Sequence, residues 1–500
     1  MKTIVRLSVI LAMIFFAGHS QAVSSHCSAI NSKRAIGDSE PIFLVAQDEM
    51  ENILLGGKLS LGKLPFELEK AMKQSTRPQG IDSMLSFPLV EALLGRRSRR
   101  FFMGAEIQDG VFAHKSSQKL LPLTEWEKML VVSACGGNTS WHNLIYRAER
   151  YTPHISNYAG AAGGRVFPSA AGFHTSQTFF TDDESLYMLD MRDAPAFADR
   201  AADGGLNLEA FVENTRKRVR KIKDGRLQLP PEVPYTEPHN TWVFNKPSTL
   251  VVVPVGDLAQ HVLLNICYML QNGLVLFDDI NRRAIPGIDR FSDIVDTGNV
   301  WPITFVEQWS LSELTVELGT SCYAGVLMLQ AMGLGGWMFN GVDPFAMLGA
   351  SGSPDVPGLG FRYDRDDRWP YPNPTGLPGF MEGFCPPHYP DMRAAVEALC
   401  ERKFGPGGPF HPETPGPWRD SRRVRSAAAP HDERFRECVA LQAQYVYDTF
   451  GKFPGTVPSM FLIMYLQAHH LDLEFYDKFY KPGAYLRSHA GHMEQWHREK

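Results

Sequence analysis

LVVVPVGDLAQHVLLNICYMLQNGL, residues 250–274, joins a run of β-branched residues to a long apolar stretch that carries no charge after Asp257. Leu250 to Val255 predicts a strand, because branched side chains pack well on a pleated surface, and Leu258 to Leu274 predicts a buried helix. A doubly wound parallel sheet would repeat that strand–helix unit. Here Glu317 to Met332 forms a second apolar helix, stopped by Gly333-Leu334-Gly335-Gly336, and no regular alternation follows. The pattern is not that of a Rossmann fold.

Thr178-Phe179-Phe180-Thr181 and Leu186-Tyr187-Met188-Leu189 flank Asp182-Asp183-Glu184 as a hairpin. Thr124-Glu125-Trp126-Glu127 is a capping box opening a helix that carries Trp126, Met129, Leu130 and Ala134. Phe87, Val90, Leu93 and Leu94 share one helical face, which Gly95 ends. Two insertions, 136–167 and 193–247, interrupt the pattern. Within the second, Thr215 to Lys221 is basic, and with no aromatic residues interleaved for stacking it reads as a solvated helix face rather than a nucleic-acid patch. Beyond Pro354 the content of Pro, Gly and Arg rises, which sets a boundary at 366–380. Helices are expected near 391–403, 433–450 and 458–480.

A chain of 500 residues, 44% of them hydrophobic, buries at least one large core, and a formal charge of −5 excludes wholesale binding to nucleic acid or anionic membrane. Lys2 and Arg6 precede the apolar run Leu7 to Ala17, and Ser20-Gln21-Ala22 supplies small residues at −3 and −1. That pattern predicts a secretory signal peptide over 1–22, export to a periplasmic location and no stable membrane span. An N-terminal extension (23–84), a main domain (85–365) and a C-terminal helical extension (380–500) would follow. Seven cysteines lack CxxC spacing, which argues against a structural zinc site. Cys135, Cys267 and Cys322 fall in apolar segments as buried thiols, whereas export would permit a disulfide among Cys385, Cys400 and Cys438.

Against this mild acidity, Arg96-Arg97-Ser98-Arg99-Arg100 concentrates positive charge at a helix exit. Guanidinium forks and a short hydroxyl suit a phosphate monoester, though a solvated surface would carry the same residues. In an extended segment Arg96, Ser98 and Arg100 would face one side, Arg97 and Arg99 the other. Near the chain end His489 and His492 would share a helical face with Glu494 close by, while His497 falls off it. The adjacent His469 and His470 cannot share such a face. An exposed terminal helix is favoured and no metal centre is expected; a periplasmic metal-binding protein using these histidines is the lower alternative.

Three features come in order: Arg96-Arg97-Ser98-Arg99-Arg100-Phe101-Phe102, then Pro168-Ser169-Ala170-Ala171-Gly172, then an apolar helix running into Gly333-Leu334-Gly335. In this the chain resembles the nitroreductase superfamily over about residues 85–365, and most of all its branch that oxidises azolines in modified peptides. The resemblance implies an α+β fold binding FMN noncovalently, usually at a homodimer interface. It also implies that Arg96, Ser98 and Arg100 hold the FMN phosphate, that Pro168, Ser169 and Ala170 line the isoalloxazine or ribityl chain, and that Gly333, Leu334 and Gly335 offer backbone near the flavin. The implied activity is hydride or electron transfer to or from a small organic or peptide substrate. No GxGxxG follows a strand, so NAD(P)H would dock directly over the flavin. Gly172-Phe173-His174-Thr175 replaces the family's Asn-x-Gln-Pro-Trp, and a late family arginine could be Arg362, Arg365 or Arg368. No catalytic residue is identified: His174, Tyr187 and Glu317 are candidates only by nearness to motifs. A non-catalytic flavin- or ligand-binding member of the fold is the alternative.

Overall fold

The computed structural model describes residues 77–146, 154–195 and 205–497. The segments expected as a signal peptide and, as far as residue 76, as an N-terminal extension lie outside the described residues, as does Cys27.

The main sheet is built from β1 (Ser176–Thr181), β2 (Ser185–Leu189), β3 (Val219–Asp224), β4 (Leu250–Asp257), β5 (Gly335–Phe339), β6 (Phe461–Ile463) and β7 (Tyr465–His469). In space the order is β5-β7-β4-β1-β2-β3, with β6 also lying along β4, and every pairing in it is antiparallel. β4 is central and buried on both faces. Val251, Val253 and Val255 join one core with Phe179 and Met188, while Leu250 and Val252 join the other with Phe180, Leu189 and Leu466. A strand covered on both sides reads as a continuous apolar run, which is why this stretch is legible in the sequence. Pro254 is tolerated in it because the neighbouring strand changes there: β7 pairs with 250–252 and β6 with 255–257, so the missing N–H falls at the junction.

The helices used below are α1 (Glu125–Gly136), α2 (Leu258–Gln271), α3 (Ile303–Met332), α4 (Glu433–Phe450), α5 (Leu473–Phe479) and α6 (Arg487–Trp496). The expected capping box opens α1, with both reciprocal bonds between Thr124 and Glu127 formed. α3 starts earlier than expected and runs thirty residues, about 45 Å. Gly333, at φ 83°, ends it in the left-handed region that favours glycine. α3 packs along both α1 and α2, and the described residues fall in one compact unit. The fold is α+β, an antiparallel sheet flanked by helices.

Three expectations are corrected. Residues 458–480 form β6, β7 and α5 rather than one helix, and β7 lies inside the main sheet, so the C-terminal part is not a purely helical extension. The run Met460 to Leu466 is apolar without a period, and burial on two faces of a sheet produces that pattern as readily as a buried helix does. The basic stretch from Thr215 ends helix Leu208–Arg216 and continues as β3, at the edge of the sheet, where Arg220, Lys221 and Lys223 discourage pairing with another chain. Among the described residues no disulfide forms: Cys385, Cys400 and Cys438 are buried free thiols, as are Cys135, Cys267 and Cys322.

Every residue of α2 except Tyr268 and Gln271 is buried in the core. No helix among the described residues is long and apolar enough to cross a membrane.

Candidate functional site

Helix Leu89–Leu94 ends at Gly95, and the arginine run leaves it along the outer edge of β5, where Arg99 forms a bridge with Gly336. The segment is held at that one point and is not a regular strand, so its side chains do not alternate as expected. Arg99 turns inward and is 2% exposed. Its guanidinium donates to the Gln330 side-chain oxygen at 2.7 Å, to Ala484 O at 2.8 Å and to Gly95 O at 3.1 Å. Burial lowers its pKa to about 10, so it stays a cation at neutral pH. Arg100 donates to Asn240 Oδ1 at 3.1 Å and lies over the Trp337 ring at 4.9 Å, and Asn240 is itself anchored to the Tyr465 hydroxyl at 2.9 Å. Arg97 caps the preceding helix through Leu94 O and Arg96 O. None of Arg96, Arg97, Arg99 and Arg100 has a carboxylate partner among the described residues.

Beside this charge lies a cleft of about 460 Å³. Arg97, Ser98, Arg99 and Arg100 form one wall, and Phe112, Trp242, Phe475 and Tyr480 form much of the rest. Phe101 stacks on Phe475 with ring centroids 4.1 Å apart and 11° between the planes, and more loosely on Trp242 at 6.2 Å and 29°, so the aromatic wall is layered. Ile107 and Trp242 also line a second cavity of about 630 Å³. Of the three positions expected to face an anion together, Ser98 and Arg100 line the cleft and Arg96 does not. Arg97 and Arg99, expected on the far side, do. An unneutralised cationic wall against stacked rings suits a ligand that is both anionic and planar aromatic.

Pro168, Ser169 and Ala170 lie elsewhere. The Ser169 hydroxyl donates to Glu317 Oε2 at 2.5 Å and accepts from His174 N at 2.9 Å. Glu317 Oε1 takes the Ser176 N–H at 3.0 Å and its hydroxyl at 2.5 Å. One buried carboxylate on α3 thus pins the turn that enters β1, a turn in which Ala171, Gly172 and His174 all have positive φ. Glu317 and Gln330, which holds Arg99, are thirteen residues apart on α3, about 20 Å. One chain therefore does not bring the Pro168–Ala170 turn to the arginine cleft.

Gly333, Leu334 and Gly335 do run beside the arginine segment, since Gly336 N donates to Arg99 O at 2.8 Å. Their free space is taken by this chain: a Cβ on Gly333 would meet Ser488 O at 2.2 Å, one on Gly335 would meet Leu471 at 2.7 Å, and Leu334 is fully buried. Arg362 pairs with Glu382 and Arg368 with Asp366, while Arg365 lies over Tyr363. Tyr187 stacks on Phe180 at 4.8 Å within β1 and β2, away from the cleft.

The terminal histidines depart furthest from expectation. His489 accepts from Leu486 N at 3.1 Å as a helix cap and does not join His492. His492 instead meets His470, His497 and the capping-box residue Glu127, and His469 points the other way, to Arg99 O. Adjacent residues at the end of a strand face opposite sides, which a helical reading of His469-His470 misses. The sequence holds one local signal for this cluster, a capping glutamate whose second oxygen is free for another use.

No family model and no curated protein sequence matches the chain. A solved structure described as a candidate nitroreductase from Ralstonia eutropha JMP134 is 13% identical, aligned over 52% of this chain and 72% of its own, with a TM-score of 0.24.

Proposed function

We propose that the protein is an FMN-dependent oxidoreductase of the nitroreductase type, acting on a small organic or peptide substrate. The observation that supports it is the cleft: arginines without carboxylate partners beside layered aromatic rings. FMN, when bound, supplies the hydride and electron transfer. Ser98 and Arg100 would hold its phosphate, with Arg97 adding charge, and the faces of Trp242 and Phe112 would pack on its ring system and exclude water. Arg99 acts through the backbone, fixing the segment that presents these groups. The resemblance also assigns ring contacts to Pro168–Ala170, whose turn is held by Glu317, about 20 Å along α3 from the residue that holds Arg99, so those contacts would come from a second copy in a homodimer.

The test is titration of the purified chain with FMN and with riboflavin, followed by the flavin absorbance bands and by sedimentation. Stoichiometric FMN uptake by a dimer, with riboflavin bound more weakly, supports the reading. Failure to bind either flavin overturns it. If flavin binds but neither NADH nor NADPH reduces it and no acceptor turns over, the chain is a non-catalytic flavin carrier.

A further inference from the structure

We propose that Glu127, His470, His492 and His497 form a closed, four-coordinate site for a divalent transition cation of the zinc type, which pins α6 to the start of α1. This inference is independent of the flavin reading.

The four residues come from distant parts of the chain. Glu127 is in the first turn of α1, His470 directly follows β7, His492 lies on α6, and His497 is the residue on which α6 ends. Because the helix stops at Trp496, a spacing of five still returns His497 to the face of His492. The four donor atoms all lie within 4.8 Å of one another. Glu127 Oε1 is 3.1 Å from His470 Nε2, 2.9 Å from His492 Nε2 and 3.0 Å from His497 Nε2, and the last atom is 3.1 Å from His470 Nε2. Metal bonds of about 2.0–2.2 Å in a tetrahedron place donor atoms roughly 3.3–3.6 Å apart, so four of the six edges are within a few tenths of an ångström of that figure.

Proton accounting points the same way. His470 Nδ1 is 2.8 Å from Leu121 O and His492 Nδ1 is 2.8 Å from Met332 O. A carbonyl only accepts, so both Nδ1 atoms carry hydrogen, and in the neutral rings both Nε2 atoms present lone pairs to the cluster. Two lone-pair nitrogens and a carboxylate oxygen about 3 Å apart repel one another, and a single N–H from His497 can serve only one of these contacts. His492 Nε2, buried and 2.9 Å from the carboxylate oxygen, makes no hydrogen bond at all. Filling every gap with protons would gather imidazolium charges around one buried carboxylate, at a large cost in desolvation. One cation at the centre satisfies all four donors.

The surroundings are those of an oriented ligand set. Glu127 Oε2 accepts from Thr124 N at 2.6 Å and Thr124 Oγ1 at 2.8 Å, so the capping box turns Oε1 toward the histidines. Side-chain exposure is 0% for Glu127, 1% for His470, 4% for His492 and 14% for His497, so His497 is the least covered of the four. Three imidazoles and one carboxylate suit zinc and its transition-metal neighbours and not calcium or magnesium, which take oxygen donors in larger number. With all four positions supplied by the protein the site is structural, not catalytic.

The experiment uses the full chain, stripped with a chelator and titrated with Zn²⁺ and separately with Co²⁺. The proposal expects one equivalent per chain, a higher thermal midpoint with zinc, and the intense visible bands of tetrahedral cobalt. His497→Ala, a change at the partly exposed chain end, should weaken zinc binding at least tenfold, while His388→Ala on the surface elsewhere should not alter it. The absence of stoichiometric uptake, the weak spectrum of six-coordinate cobalt, or zinc affinity unchanged in His497→Ala would each overturn it.

Discussion

The Arg99 guanidinium donates to the Gln330 side-chain oxygen at 2.7 Å, which ties the arginine run to the last turns of α3. Two further carbonyls depend on the same group. Arg99→Ala should therefore cost about 3 kcal/mol of folding stability, since charge-assisted bonds are lost and buried acceptors are left unpaired. Arg97→Ala, on an exposed side chain, should cost less than about 0.5 kcal/mol. Urea unfolding of the flavin-free chain separates the two, and similar midpoints for both variants would contradict the structural role of Arg99.

Arg100 has a different task, because it lines the cleft and rests on Asn240 and the Trp337 ring. Arg100→Ala should weaken FMN binding by about tenfold, roughly 1.4 kcal/mol, and leave riboflavin binding almost unchanged. Titrations at fixed salt provide the comparison. Equal losses for both flavins would place the phosphate elsewhere.

Trp242 offers an optical probe of the same cleft, being half-buried and layered with Phe101. Its fluorescence should be quenched on FMN addition, and Trp242→Ala should weaken binding by about 1 kcal/mol, the scale of one lost aromatic contact. Quenching that persists undiminished in Trp242→Ala would mean that the ring lies far from the ligand.

Glu317 serves architecture rather than proton transfer. It accepts from the hydroxyls of Ser169 and Ser176 and from the Ser176 backbone, so Glu317→Ala should cost about 3 kcal/mol by leaving three donors unpaired. Unfolding midpoints measured against the parent check this. A stable variant that lacked only turnover would instead make Glu317 catalytic.

Stability should also fall with acidification. Burial, with Arg165 and His142 nearby, holds His174 well below its ordinary 6.5, and burial beside Lys403 and Arg436 does the same to His431. Both rings remain neutral in the folded chain where the unfolded chain takes up protons. Stability therefore rises with pH through this range and is lost as pH drops below about 6.5, by up to about 1.4 kcal/mol per pH unit for each ring. Denaturation midpoints between pH 8 and 5 test the sign, and a flat profile would mean that both rings titrate normally.

How much of this was legible depended on the range over which each feature is determined. The capping box at Thr124 and the hairpin of β1 and β2 involve neighbours in sequence, and both formed where expected. Met460 to Leu466 carries no period, so strand and helix were indistinguishable until burial on two faces decided. The alternation expected of Arg96 to Arg100 failed because one bridge, Arg99 with Gly336, holds the segment where a full ladder would have imposed a period of two. Glu127 and His497 stand 370 positions apart, and their meeting depends on where α6 happens to stop.

The place of β7 between β5 and β4 has a consequence for how the chain comes to be folded. Gln467 bonds the backbone of Val243 across 224 residues, so the middle of the sheet stays open until β7 has left the ribosome. Until then the edges of β4 and β5 are unpaired and apolar, which slows folding and invites association between nascent chains. A polypeptide ended before residue 460 would keep most of its helices and still lack the strand that closes its centre. It should be recovered as aggregate, while a chain that extends through β7 can close the sheet.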